Sequence, residues 1–464
     1  MFRDCHRSLA LALPAAALLC WSAYAQVAGS TTGAGTAPAA DKPVSTADAN
    51  TGGEQRYAVH AQTTIVVQGN APFRSRFTGP NSLKASGEVR ETFDVTGFVG
   101  LKPWGGAEIW ANPEIDQGFG LRNTLGAAGF TSGEAYKVGK EHPYFRLPRL
   151  FLRQTLGLGG ASEKVDPDLN QLGGRRDLDR IVLTVGKFSV GDVFDTNTYA
   201  HDPRADFLNW TVIEAGTFDY AADAWGYTLG AAAELYKGRF AARAGLFNLS
   251  TIPNSAYLSH GFEQYELVGE IEERHTLHGR DGKIRLTGFI NHGNMARLDE
   301  AVAAAPPGIA PDPVPARHFA SRPGISINIE QTVSDSVGVF ARAGFIDGRY
   351  EAFEFTDVDQ SVSAGVSIKG NHWHRPDDRF GLAVVANHAS DARRRFQNVG
   401  GLGILVGDGA LPHPGDEYIV ESYYAFAVWK AARISLDAQG IANPAYNRDR
   451  GPVALFAARF HAQF

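Results

Sequence analysis

The most constraining feature of this chain is its last stretch, residues 453–464, in which every second side chain is apolar up to the final residue. One face carries Ala454, Phe456, Ala458, Phe460, Ala462 and Phe464, and the opposite face includes Arg459, His461 and Gln463. Such alternation is typical of a β-strand with one apolar face. A soluble strand buries that face against a core, but no sequence follows here to build one. We therefore expect the face to contact lipid, in a closed transmembrane sheet.

The final residue is aromatic, and an ending of this kind resembles the assembly signal of bacterial outer-membrane β-barrels. The resemblance implies that the barrel assembly machinery engages Phe464. It also implies contact with outer-membrane lipid and lipopolysaccharide. We expect the barrel to be a monomer or a homotrimer.

The N-terminal residues predict export from the cytoplasm. A basic start with Arg3 and Arg7 precedes an apolar run that is too short to span a membrane, and Ala23-Tyr24-Ala25 fits a cleavage site. We expect a signal peptide at residues 1–25, a disordered periplasmic leader rich in Ala, Thr, Gly and Pro at 26–55, and a barrel domain at 56–464.

Composition excludes several classes of protein. Both cysteines, Cys5 and Cys20, lie in the predicted signal peptide, so disulfide and thiol chemistry is not expected in the exported chain. The net charge of −6 gives no basic footprint for nucleic acid. Apolar residues make up only 44% of the chain, and no segment after the signal peptide is apolar enough for a membrane-spanning helix. Barrel strands do not form long apolar segments, because their lipid-facing and lumen-facing residues alternate.

Alternating segments recur along the rest of the chain and predict an all-β, antiparallel transmembrane barrel of about sixteen strands. The predicted strands are residues 57–68, 87–101, 106–112, 146–156, 180–188, 227–236, 239–247, 263–274, 283–291, 324–332, 337–345, 361–369, 379–387, 418–429, 433–440 and 453–464. Residues 210–220 are a possible seventeenth strand.

The connections between these strands are unequal in length. Short ones, such as residues 236–239 and Ser334-Asp335, suit periplasmic turns. The long connections suit the outer side or fold inward, and they are residues 114–145, 157–179, 295–322 and 390–417.

Charged residues share the face opposite the apolar one in several predicted strands. Arg243 and Arg285 oppose runs of Ala, Leu and Ile, while Arg149 and Arg153 oppose Leu150 and other leucines. Because an Arg on the lipid face at mid-membrane costs about 2–4 kcal/mol, we expect these groups to point inward. Repeated inward Arg residues indicate a lumen that holds water.

The predicted lumen carries charges of both signs. Glu108 shares a face with Trp110, and Glu270 shares one with Glu266 and Glu272. A balanced lumen is unlike a strongly ion-selective filter. Guanidinium and carboxylate groups beside aromatic rings suit neutral polyols, whose hydroxyl groups both donate and accept hydrogen bonds. Mutual pairing of these charges across the barrel is the alternative interpretation.

Longer motifs give a second resemblance. Residues 186–195 (GKFSVGDVFD), 199–204 (YAHDPR) and 207–210 (FLNW) resemble the signature region of carbohydrate-selective outer-membrane porins, the OprB-like family. Shorter matches extend the resemblance over most of the predicted barrel, at residues 112–114, 118–121, 150–154, 219–223, 225–230, 443–447 and 451–453.

The resemblance implies passive diffusion of glucose and related small sugars into the periplasm through a channel narrowed by inward-folded loops. It implies neither a cofactor nor a catalytic group. By motif position and strand face, we predict the following pore-lining residues: Glu108, Trp110, Asn112, Glu114, Arg149, Arg153, Asn209, Trp210, Arg243 and Glu270.

Other functional classes remain open alternatives. A general channel or a polysaccharide-related barrel would share the architecture, and only the family signature argues against them. A barrel enzyme would need a catalytic group at the rim, and no compact Ser, Asp and His constellation stands out. His372 and His374 have no third ligand nearby, so zinc is not expected.

Overall fold

Sixteen antiparallel strands close into a barrel in the computed structural model of the protein, which describes residues 54–464. The predicted signal peptide and all of the predicted leader except Glu54 and Gln55 lie outside the described residues. The barrel strands are β1 (Tyr57–Asn70), β2 (Glu88–Leu101), β3 (Ala107–Gly118), β4 (Lys140–Gly157), β7 (Arg180–Phe188), β8 (Thr228–Lys237), β9 (Phe240–Asn248), β10 (Tyr265–Leu277), β11 (Arg280–Ala296), β12 (Arg317–Thr332), β13 (Val337–Ile346), β14 (Gln360–Gly370), β15 (Arg375–His388), β16 (Glu417–Trp429), β17 (Ala432–Ala442) and β18 (Val453–Gln463).

The C-terminal strand closes the sheet. β18 pairs with β1 in the register Gln62 to Gln463 and Asn70 to Leu455, and every other barrel strand pairs with its neighbours in chain order. Since closure leaves no open edge, the backbone groups of each strand are satisfied within the sheet. The predicted fold class is therefore confirmed, and each of the sixteen predicted segments overlaps one barrel strand.

The two faces of the sheet differ as the alternation predicts. On β18, Phe456 is 61% exposed on the outer face, whereas Arg459 is 1% exposed on the inner face. On β9, Leu246 lies outside and Arg243 inside. The outer surface is thus an apolar belt for lipid, and the charged residues of the strands face the lumen.

Short turns mark the periplasmic end of the barrel. Lys237 is followed by a two-residue turn to Phe240, and Leu277 is followed by one to Arg280. Phe464 lies at this end, where its backbone N–H and C=O form hydrogen bonds with Ala61 (2.8 and 3.1 Å).

One long connection also lies at the periplasmic end. Residues 158–179, here called the periplasmic hairpin, contain β5 (Ser162–Val165) and β6 (Gly174–Asp177), which pair as a separate two-stranded sheet. The Gln55 N–H donates to the carbonyl oxygen of Gly173 (3.0 Å), which ties this hairpin to the start of β1. The sequence predicted that this segment lies on the outer side or folds inward, and the outer-side location is wrong, because the segment joins the periplasmic ends of β4 and β7.

The connection between β7 and β8, residues 189–227, folds into the lumen from the outer end. It descends far enough for the Tyr199 hydroxyl to lie 2.8 Å from Thr332 Oγ1, near the periplasmic end of β12. Trp210–Ile213 of this loop is a short helix, so the possible seventeenth strand at residues 210–220 is wrong. The loop packs into the lumen and borders open space beside β1–β4 and β7.

Helices are few and short. Besides the turn at residues 210–213, Leu298–Ala304 and Asp391–Asn398 are helical, and they pack together through Leu298, Ala301 and Phe396. Among residues 54–464, no helix is long and apolar enough to cross a membrane.

Candidate functional site: a charged constriction

A β-bulge brings two arginines of β4 to the same side of the sheet. Asn112 of β3 faces Arg149 of β4, whereas Glu114 faces Arg146, so three steps along β4 oppose two steps along β3. A bulge inserts one extra residue and re-aims the side chains beside it. Arg146 and Arg149 therefore both reach the lumen, although strict alternation would place them on opposite faces.

Arg146 is held by two carboxylates and surrounded by aromatic rings. Its Nη2 donates to Glu114 Oε1 (2.5 Å), and its Nε donates to Asp116. The guanidinium carbon lies 5.0 Å from the ring centroid of Trp225 and 5.6 Å from that of Tyr227, within cation–π distance. The side chain is only 10% exposed, so its position is well fixed.

Arg149 connects the barrel wall to the inward loop. Its Nη2 and Nε donate to the two carboxylate oxygens of Asp192 at 2.7 and 2.8 Å, which is a bidentate pair. Its guanidinium carbon lies 4.9 Å from the Tyr227 ring centroid. Burial alone would raise the pKa of Asp192, but the charge and hydrogen bonds of Arg149 hold that pKa below its ordinary value.

A third arginine comes from the loop itself. Arg204 Nη1 lies 3.2 Å from Glu134, on the inward connection between β3 and β4, and Arg204 Nε lies 3.9 Å from Asp94 of β2. The side chain of Arg204 is 16% exposed. Three separate parts of the chain thus place guanidinium and carboxylate groups around one opening.

The opening is a cavity of about 300 Å³, here called the constriction cavity. Its wall includes Glu114, Glu134, Tyr136, Arg146, Arg149, Leu169, Asn170, Asp192, Arg204, Trp210, Glu214, Trp225 and Tyr227. Donors, acceptors and aromatic faces surround a solute of this size on several sides. Such a wall can replace part of the hydration shell of a polyol without favouring either sign of charge strongly.

Glu214 supplies a different kind of group to the same wall. Burial, together with the nearby charge of Asp195, raises the pKa of Glu214 well above its ordinary value. The same causes favour the protonated carboxyl group over the carboxylate at this position.

Five of the ten predicted pore-lining residues border open space. Glu114, Arg149 and Trp210 lie in the wall of the constriction cavity. Glu108 and Arg153 line a larger cavity on the periplasmic side. Trp210 is only 5% exposed, because its ring is packed between Phe130 (4.9 Å between centroids) and other rings, and it forms a fixed wall rather than an open platform.

The other five predicted residues lie in the packed part of the barrel. Trp110 and Asn112 are fully buried on β3, and the Trp110 indole donates to Glu108 (2.8 Å). The fully buried Asn209 caps the short helix at 210–213 by accepting from the Thr211 N–H (3.1 Å).

Arg243 and Glu270 form one of these buried contacts beneath the inward loop. Their side chains pair at 2.7 Å, and Glu270 also accepts from the Asp195 N–H (2.9 Å). Glu270 therefore anchors the loop, and Arg243 holds Glu270 in place from the neighbouring strand.

Sequence reasoning missed Arg146, Asp192, Arg204 and Trp225 as members of the site. Asp192, Arg204 and Trp225 stand within the motifs at residues 186–230, so the signature itself was the available signal. Arg146 was not predicted because it reaches the lumen only through the bulge, and the alternation of the sequence does not show where a bulge lies.

Among residues 54–464, no group of three or more His, Cys, Asp or Glu side chains has the geometry of a metal site. The closed sixteen-stranded barrel, the apolar outer belt and the charged constriction define a channel of the bacterial outer membrane. The sequence model of the carbohydrate-selective porin family, OprB, matches residues 81–464. The chain belongs to this family, and it is a carbohydrate-selective outer-membrane porin.

A solved structure shares the fold of this chain. The high-pH structure of Pseudomonas putida OprB is 16% identical and superposes with a TM-score of 0.67, covering 88% of this chain and 94% of that chain. The outer membrane channel DcaP of Acinetobacter baumannii is 11% identical with a TM-score of 0.47, covering 89% of this chain and 99% of that chain. The search of the curated proteins gave no match.

Proposed function

We propose that the constriction selects glucose and related small neutral sugars as they diffuse into the periplasm. The observation that carries this proposal is the set of guanidinium groups of Arg146, Arg149 and Arg204, each paired with a carboxylate and set around a cavity of about 300 Å³. Each pair presents fixed donors and acceptors with little net charge, which suits a hydroxyl-rich solute better than an ion.

Aromatic rings complete the sugar-binding character. Trp225 and Tyr227 lie against Arg146, so apolar ring faces stand beside the hydrogen-bonding groups. A sugar has the same two aspects, with hydroxyl groups at its edge and C–H groups on its faces. Passive diffusion requires contacts that are weak enough to allow exit.

Permeation into liposomes tests this proposal. We expect glucose to enter faster than lysine, glutamate and glutamine, which are similar in size and differ in charge. Equal rates for all four solutes would instead support a general porin. Absence of flux through correctly folded protein would contradict a channel function altogether.

A general channel is the second candidate, and charge pairing also gives it some support. We further propose that the barrel catalyses no reaction, because the charged groups of the constriction are committed to pairing with each other. An assay of sugar recovered unchanged after passage checks this point.

We also propose that the barrel assembly machinery recognises Phe464 while the barrel folds into the membrane. Its side chain is 42% exposed on the lipid side, while its backbone is held by Ala61. Phe464→Ala is expected to lower the amount of folded barrel in cells, whereas Phe456→Ala, which removes a 61% exposed ring from the same strand, is the matched control.

We propose further that the barrel is a monomer or a homotrimer and that it contacts lipopolysaccharide. Chemical cross-linking in the membrane distinguishes the monomer from the homotrimer, and lipopolysaccharide co-purification tests the lipid contact.

A further inference from the structure

The periplasmic hairpin ends in a tight turn that lies beneath the constriction. Asp168 and Gln171 exchange two backbone hydrogen bonds of 3.1 Å, and Asn170 between them has a positive φ of 53°. Leu169, at the same tip, packs against the buried aromatic cluster of the lumen. The tip is thus inside the barrel although the hairpin begins at the periplasmic rim.

Several anchors hold this hairpin in place. Arg153 Nη1 donates to the carbonyl oxygen of Asn170 (2.7 Å), and Gly173 exchanges hydrogen bonds with Gln55 (3.0 and 2.8 Å). Leu172 is 5% exposed and belongs to the same buried cluster as Phe151. A connection that only joined β4 to β7 would need none of these contacts, since those strands pair directly.

Leu169 borders three cavities at once. It lines the constriction cavity of about 300 Å³, a vestibule of about 750 Å³ beneath β3, β4 and β7, and a side exit of about 240 Å³ beneath β15–β18. Asn170 lines both the constriction cavity and the vestibule. The tip of the hairpin therefore lies where the three cavities meet.

The vestibule repeats the chemistry of the constriction. Arg153 lies 3.7 Å from Glu108, and both side chains are partly exposed, at 28% and 22%. On the adjoining strands β7 and β8, the guanidinium carbon of Arg180 lies 4.0 Å from the ring centroid of Tyr236. Paired charges beside an aromatic ring again offer donors, acceptors and an apolar face.

We propose that the vestibule is a second sugar site, in series with the constriction. The Asn170 amide, which borders both cavities, forms hydrogen bonds with sugars as they move from one site to the other. This inference rests on the proposed selection of neutral sugars at the constriction. Two weak sites in series let a solute advance without being trapped at either, as multi-site channels require. The ligand class is the same small neutral polyol.

Two variants test the proposal in the full-length protein. Asn170→Gly removes the amide, while glycine keeps the positive φ of the turn and the carbonyl oxygen that Arg153 binds. Deletion of residues 161–178 leaves Gly159-Gly160 as a two-residue hairpin turn, closed by the existing hydrogen bond from the Leu158 N–H to the Asp179 carbonyl oxygen (3.0 Å). Asn254→Gly, at an exposed outer-loop asparagine with φ of 60°, is the matched control.

The readout is the glucose concentration that half-blocks the single-channel current when glucose is added on the periplasmic-facing side. For Asn170→Gly we expect an increase of about 3- to 10-fold, the effect of one lost hydrogen bond. The deletion is expected to raise this half-blocking concentration at least as much and to raise the conductance, because glucose then binds only at the constriction, and Asn254→Gly is expected to behave as the unaltered protein. If both hairpin variants match the unaltered protein while glucose still blocks it, the second site is overturned and the constriction stands. If glucose does not block the unaltered protein from either side, both proposals are overturned.

Discussion

Arg149 and Asp192 form a bidentate ion pair between the barrel wall and the inward loop, with nitrogen–oxygen distances of 2.7 and 2.8 Å. Because Arg149 lowers the pKa of Asp192 against the opposing effect of burial, this carboxylate stays charged in mild acid. Asp206, on the same loop, behaves in the opposite way. Burial raises its pKa to about 6, although Arg379 at 3.7 Å partly offsets the increase.

This difference predicts how ion selectivity depends on pH. Asp206 carries its negative charge at about pH 8 and is mostly neutral at about pH 5, since protonation follows the raised pKa. Asp206→Asn should therefore increase the preference for anions at the higher pH and change nothing at the lower one. Asp192→Asn should increase the preference for anions at both pH values. Reversal potentials in a salt gradient measure the effect, and identical pH behaviour of the two variants would contradict the assignment.

The inward loop is also held by a fully buried ion pair. Arg322 Nη1 donates to Asp219 Oδ2 (2.7 Å), and the same carboxylate accepts the backbone N–H groups of Phe353 and Phe355 (2.7 Å each). Removing one partner of such a pair costs about 3–5 kcal/mol, because the other charge stays buried.

Asp219→Asn is thus expected to lower the unfolding temperature of the barrel, followed by its heat-modifiable mobility on gels, and to make the channel current noisier. Asp299→Asn is the control, because Asp299 pairs with Arg297 at 2.8 Å at the exposed start of the helix Leu298–Ala304. Similar thermal shifts for the two variants would show that the buried pair does not anchor the loop.

The lipid-facing surface gives a depth-dependent prediction. Ile271 lies at the middle of β10 and is 60% exposed, whereas Leu277 ends that strand and is 54% exposed. Ile271→Arg should destabilise the barrel by about 2–4 kcal/mol and Leu277→Arg by about 0–1 kcal/mol. Unfolding in denaturant from lipid vesicles measures both. Equal losses would be incompatible with an outer belt that spans the bilayer.

The strands were predictable from sequence because lumen and lipid impose a period of two on every barrel strand. The ends of the strands were less predictable. For example, β12 begins at Arg317 rather than Gly324, since its outer end extends beyond the alternating segment. The constriction was predictable only in part. Arg149 followed from alternation, but Arg146 depends on the bulge.

Loops follow different rules from strands. The length of residues 157–179 favoured the outer side or an inward fold, yet that segment joins two strands at the periplasmic end, because length alone does not fix which rim a connection joins. Trp210 was predicted to line the pore, and it lies in the wall of the constriction cavity, but the fold of residues 189–227 also packs its ring into an aromatic cluster. Such tertiary contacts leave no periodic trace in the sequence.

The most direct test of the account is the dependence of glucose flux on glucose concentration in liposomes. A constriction that binds sugar predicts a flux that saturates. Arg149→Lys keeps the charge but loses the bidentate geometry, so it should raise the half-saturating concentration by about 3- to 10-fold. Arg90→Lys, at an exposed position near the outer end of β2, should leave it unchanged. A flux that rises linearly and equally in all three proteins would contradict selection by the constriction.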